Sequence, residues 1–228
     1  MNRVSWSCLA IVVMLGIASC ASPSDAPLGD DPESLAAQAL ADSRFEEAGR
    51  LYRALAYSED APNYRILVGY ALSQAWLGRE DEFQFAALSA AGAAPWSPEA
   101  FERLGAMYVR AAERFRAGPG SRHYAQMGVE YLRRAFIKYP EMPRLLHNLG
   151  LGLHFAGDDA AAQFMLEEAF SRAPQRLDIL ETLLVVLRST ENQDRVRYWL
   201  TPLQERGELP EGWRETWEWA QSAVPASP

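Results

Sequence analysis

Residues 143–176 read PRLLHNLGLGLHFAGDDAAAQFMLEEAFSRAPQR. Leu146, Leu149, Gly150 and Leu153 fall at i, i+3, i+4 and i+7, the spacing that puts side chains on one face of a helix. Ala162, Leu166 and Ala169 do the same further on. Gly157 between the two runs supplies a turn, and Pro174 after the second prevents it from continuing as helix. Asp158 and Asp159 stand where an acidic side chain caps the helix that follows. The stretch therefore predicts two antiparallel helices. Small residues at Gly150, Ala162 and Ala169 let them approach, and the leucines fill the space between.

The same order recurs outward from this block. From Pro98, Phe101, Leu104, Gly105 and Tyr108 match the first helix, and Gly128, Leu132, Ala135 and Pro140 the second. Eleven extra residues separate those halves and include Gly118-Pro119-Gly120, a strong breaker. They predict longer helices joined by a tight turn. One period earlier, from Tyr64, come Leu67, Tyr70, Ala71, Leu77, Gly78, Ala87, Ala90 and Pro95, with Gln74 and Phe83 departing at the crossing positions. Phe45–Ala48 and Tyr52–Leu55 fit a second helix of an earlier block. From Leu177, Leu180, Leu183, Leu187, Val196, Leu200 and Leu203 fit a last one, with Leu184 in a place reserved for a small residue. Beyond Pro210, Trp213, Trp217, Ala220 and Val224 follow i, i+4, i+7 and i+11, and Trp219 points elsewhere. No sustained alternation of apolar and polar residues competes for a strand reading.

The 34-residue block closely resembles the tetratricopeptide repeat (TPR). That resemblance implies an all-α fold: a right-handed α-solenoid of about five helix pairs, over residues 35–62, 64–97, 98–142, 143–176 and 177–208. Residues 209–228 would then form a C-terminal capping helix and tail. It also implies a scaffold for protein–protein contacts, since the family is defined by packing and not by a reaction.

The N-terminal end carries a second signal. Arg3 precedes an apolar run from Trp6 to Ile17, too short to span a bilayer as a permanent helix, and small residues follow. Ile17-Ala18-Ser19-Cys20 resembles the lipobox of bacterial lipoproteins. The resemblance implies cleavage after residue 19 and acylation of Cys20, with an ordinary cleaved signal as the plainer alternative. Ala21 in place of an aspartate points, by the same resemblance, to the outer membrane facing the periplasm. Cys8 would leave with the signal, so the mature chain would have one cysteine, consumed by the lipid, and neither a disulfide nor a thiolate metal site. Residues 20–34, rich in proline, small and acidic residues, read as the lipidated end and a tether.

The formal charge of −8 becomes about −9 once Arg3 is removed. An acidic protein suits neither nucleic acid nor an anionic bilayer by electrostatics, so membrane contact would come through the lipid. All basic residues but Lys138 are arginine, which suits bidentate contacts.

No HExxH, GxSxG, P-loop or CxxC is present, which predicts no catalytic residues, no metal and no cofactor. Gly150-Leu151-Gly152 falls inside a helix and Glu167-Glu168 on a solvated face. In the repeat, positions 2, 5, 6, 9, 12 and 13 of each first helix line a concave groove. These give Arg65 and Trp76, then Glu99, Glu102, Arg103 and Arg110, then Arg144, His147, Asn148, His154 and Phe155, then Asp178, Glu181 and Arg188. The expected partner-binding centre is Arg110, Arg144, His147, Asn148, His154 and Phe155. His147 and His154 are two turns apart on one face, and the residues fit groove contacts or partly buried structural histidines. The Lys/Asn carboxylate clamp known in the family is absent, because Val68, Glu102 and His147 occupy position 5. The function these features predict is a lipid-anchored adaptor, of the kind that pilotins and cell-wall or outer-membrane assembly scaffolds represent, binding an envelope protein or peptide segment. The alternative is a solute-binding protein or enzyme using the groove for a small ligand.

Overall fold

The computed structural model describes residues 31–58 and 63–222, and every regular element among them is helical. The lipobox, Cys20 and Val224 lie outside the described residues. The chain divides into two compact units, at Pro95 and Trp96.

The first unit contains α1 (Pro32–Ala41), α2 (Phe45–Ser58), α3 (Tyr64–Trp76) and α4 (Glu80–Ala93), with consecutive helices packed on one another. The N-terminal end of α1 corrects one boundary. Asp31 accepts a hydrogen bond from the Ser34 amide and Pro32 takes the first turn, where its missing N–H costs nothing. Pro32 and Glu33, read from the sequence as tether, thus belong to a helix. Ala36, Ala39, Ala48, Tyr52 and Ile66 form the core of this unit. The departure at Gln74 has a steric account: Gln74 is buried, and a Cβ on Gly49 would lie 2.8 Å from its Nε2, so glycine on α2 makes room for the larger residue on α3. Trp76, expected to line the groove, instead stacks on Phe45 at 5.3 Å.

The second unit contains α5 (Pro98–Arg114), α6 (Ser121–Phe136), α7 (Pro143–Ala156), α8 (Asp159–Arg172), α9 (Leu177–Ser189), α10 (Gln193–Glu205) and α11 (Arg214–Gln221), the last preceded by a 3-10 turn, Glu211–Trp213. The helices pair as the repeat predicts, α5 with α6 and α7 with α8, and the first helices α5, α7 and α9 touch in that order. The glycine crossings are where the pattern put them. A Cβ on Gly105 would meet Leu132 at 2.5 Å, and one on Gly150 would meet Leu166 at 2.6 Å. Gly157 adopts φ 89° and caps α7, its amide and that of Asp158 bonding the carbonyls of His154 and Leu153. Asp158 then caps α8 through the Ala161 amide. The eleven-residue insertion lengthens both helices of its hairpin, to 17 and 16 residues. Ser121 ties the turn down by donating to the Ala112 carbonyl at 2.8 Å.

Two expectations are corrected here. Glu167 is not on a solvated face: its carboxylate meets Arg195 of α10 at 2.6 Å and accepts from Trp199 and Gln163. Trp219 does not point away either. Like Trp213 and Trp217 it packs against the core of this unit, and Arg188 lies 5.1 Å from the centre of its ring. Glu167 joins two hairpins, and Trp219 joins α11 to α9. An alignment to a single repeat cannot show either contact, because both are made between repeats.

Candidate functional site

The first-helix face of the second unit is lined by α5, α7 and α9, and its polar side chains are joined mostly to one another. Arg144 on α7 reaches back to Glu102 on α5: its Nη2 donates to Oε2 at 3.1 Å. The Arg144 Nε is also 3.1 Å from Oε1, but off the line that a hydrogen bond needs, so this enclosed N–H is held by charge alone. The Glu102 side chain is only 9% exposed, which makes this pair an inward staple between two repeats and not a rim contact.

His147 makes the next staple. Its Nε2 lies 2.9 Å from Thr182 Oγ1 on α9, while Thr182 gives its own proton to the Asp178 carbonyl. With the hydroxyl proton already used, Nε2 must be the protonated nitrogen and Nδ1 carries the lone pair, 3.9 Å from Asp178 Oδ2. Burial, reinforced by the nearby Arg110 charge, pulls the imidazole pKa down to about 4, and the opposing effect of Asp178 is smaller. Asp178 is itself held by Arg176, whose Nε and Nη2 donate to its two oxygens at 2.8 and 2.5 Å, and this keeps its carboxyl below the usual range. Arg110 pairs with Glu113 one turn along α5 at 2.9 Å.

The six expected centre residues thus separate into different roles. Arg144 and His147 are brought together on α7 and are engaged in stapling. Arg110 has an ion pair. His154 bonds Asp159 at 2.6 Å across the α7–α8 turn, and Phe155 is partly buried against the core. Asn148 differs from all of these. The residue is 5% exposed, its carboxamide makes no hydrogen bond among the described residues, and neither polar atom is fully enclosed, so the polar tip reaches the surface of the face. Sequence reasoning missed Thr182, which completes the His147 staple, Arg176, which holds Asp178, and Glu113, which pairs with Arg110. The i, i+3 spacing of Arg110 and Glu113 was a readable signal, while the His147–Thr182 bond spans 35 residues and was not.

Glu181 on α9 makes no ion pair or hydrogen bond among the described residues, and burial together with the Asp178 charge raises its carboxyl pKa. On the second-helix side a shallow cleft of about 310 Å³ is lined by Phe136, Leu146, Phe164 and Met165, with Arg172 bridging Glu141 and Glu168 at its edge. Among the described residues no group of three His, Cys, Asp or Glu could hold a metal, and no helix is long and apolar enough to cross a membrane.

No protein-family model matches the chain, and no curated protein matches it in sequence. Solved structures do resemble it. A thermophilic TPR protein of Thermus thermophilus superposes with a TM-score of 0.61 at 19% identity, over 83% of this chain and 97% of that one. MamA (residues 41 to the end) of Desulfovibrio magneticus RS-1 gives 0.56 at 16% identity, over 78% and 96%. With consecutive helix pairs, glycine crossings and these neighbours, the fold is the α-helical solenoid fold of the tetratricopeptide-repeat proteins.

Proposed function

We infer that the chain is a non-catalytic adaptor of the bacterial envelope, anchored through a lipid on Cys20 and holding a segment of another envelope protein along the α5–α7–α9 face. Asn148 carries the reading. Its side chain is held at 5% exposure while its carboxamide bonds no other described group and reaches the surface of the face, so its donor and acceptor are fixed in place and open to a ligand. It stands on a face pre-organised by the Glu102–Arg144 and His147–Thr182 staples, with Arg110, His154 and Phe155 along the same helices. A rigid, open row of helices suits an extended or helical segment better than a small solute.

The staples also decide how the face is tested. Arg144→Ala or His147→Ala would break a repeat contact as well as a partner contact, so neither isolates binding. Asn148→Ala combined with Arg103→Ala removes groove atoms that bond nothing within the described chain. This double variant is expected to weaken the partner complex by about 1–3 kcal/mol, measured by titration against the partner isolated from detergent-solubilised envelopes, with the melting curve nearly unmoved. Full binding by the double variant removes this face from the function.

The anchor rests on the lipobox resemblance, and by the same resemblance Ala21 points to the outer membrane, facing the periplasm. Cys20→Ser is expected to abolish metabolic labelling by a fatty acid and to release the protein from the membrane fraction or leave it uncleaved. A wild-type protein that takes no label, with a mutant that still sediments with membranes, would sink the anchor.

A further inference from the structure

Two successive repeats of the second unit use the position-5 side chain to hold the repeat that follows. Glu102 takes Arg144, 42 residues on, and His147 takes Thr182, 35 residues on. Glu181 is the third member of this series, and no cation reaches it: it has no ion pair among the described residues. The arginines that could have answered it are engaged, Arg176 with Asp178 at 2.5 Å and Arg188 with Glu215, Thr216 and the Trp219 ring. Glu181 is therefore a carboxylate in a stapling position without a staple. Asn148, nine-tenths buried and unbonded among the described residues, stands on α7, and α7 is joined to α9 by the His147–Thr182 bond one residue along from each of the two.

We propose that this part of the face takes a basic side chain, the lysine or arginine of a partner segment, with Glu181 as its counter-ion and the Asn148 carboxamide accepting a further N–H from the same segment. The proposal rests on the face being the partner site and adds the chemistry that it selects. It reverses the simplest expectation from an arginine-lined groove, that the groove would capture carboxylates. Apart from Arg103 on α5, which bonds nothing among the described residues, Arg110, Arg144 and Arg176 each already have an acid within 3.1 Å, so beside α7 and α9 an incoming carboxylate would have to displace one. A cation meets an unpaired acid instead, and the net charge of −8 favours its approach. The raised pKa of Glu181 agrees with this, since its charged form lacks compensation.

The test uses the full chain and arrays of immobilised random-sequence peptides, one set with lysine or arginine fixed at the centre and one with aspartate or glutamate. Binding is read on the wild type, Glu181→Gln and Glu205→Gln. Glu205 is an exposed acid on α10, so its variant removes the same charge elsewhere. Hydrogen exchange on the complexes shows where the peptides sit. The expected result is binding of the basic set, weakened about tenfold by Glu181→Gln and unaltered by Glu205→Gln, with added protection on α7 and α9. Preference for the acidic set, or equal losses in both variants, overturns the proposal. Protection that still maps to α7 and α9 in that case leaves the face as a partner site with other chemistry. Protection mapping to the second-helix cleft, or no bound peptides from either set, overturns both readings.

Discussion

Ala162→Trp is expected to cost more than about 3 kcal/mol and to remove the cooperative unfolding transition of the second unit. Ala162 has no exposed surface, and its carbonyl stands 3.2 Å from the position a Cβ on Gly150 would take. Here α7 and α8 are separated by little more than backbone. Indole volume at that point can be placed only by forcing the two helices apart, and Leu166, already within 2.6 Å of the same point, cannot yield. The cost should spread beyond one hairpin, because α7 also packs on α5, α6 and α9. Gly118→Ala is the control. It lies in the inserted turn and outside the residues with positive φ, so added side chain there meets no backbone restriction, and a change within about 0.5 kcal/mol is expected. Denaturant unfolding of both variants decides the matter, and comparable losses would place the core elsewhere.

What made Ala162 predictable is also what made the fold legible. Packing between the two helices of one repeat is local: Gly150 and Leu166 are 16 residues apart, and so are Gly157 and Ala173, which bracket α8. A pattern of small and large residues with a fixed period records such contacts directly in the sequence. Contacts between repeats are recorded differently. Glu167 looked like a surface acid because its own helix places it beside Glu168. Its partners Arg195 and Trp199 are about one repeat away, at positions the small-and-large pattern does not specify. The same holds for the candidate site. Helical register placed Arg144, His147 and Asn148 together on α7, because register is local. It did not distinguish the residues already engaged from the one left unbonded, because engagement depends on Glu102 and Thr182 in neighbouring repeats. The face could be read from the sequence, but which of its atoms remain available could not.

His147 should make the protein acid-labile in a defined window. In the folded chain its pKa is about 4, against 6.5 for an exposed imidazole, so between those values the unfolded chain binds a proton that the folded one does not. Stability therefore falls as pH falls. The contribution is complete above 6.5, shrinks steadily below it, and is gone near 4, where the folded state also takes up the proton. A depression from 6.5 to about 4 corresponds to about 3 kcal/mol across the window. The cause is burial first, since the residue is 6% exposed, and then the Arg110 charge. Protonation would further require Nδ1 to carry a proton toward Asp178 at 3.9 Å, beyond hydrogen-bond reach. His147→Gln keeps an N–H donor for Thr182 and cannot titrate in this range. The difference in unfolding free energy between wild type and His147→Gln, followed by denaturant titration from pH 6.5 down to about 4, isolates the histidine from the carboxylates that also titrate there. The wild type should lose about 3 kcal/mol more than the variant over that span. Parallel curves would mean that the imidazole charges without penalty, and hence that the α7–α9 staple opens to water in solution.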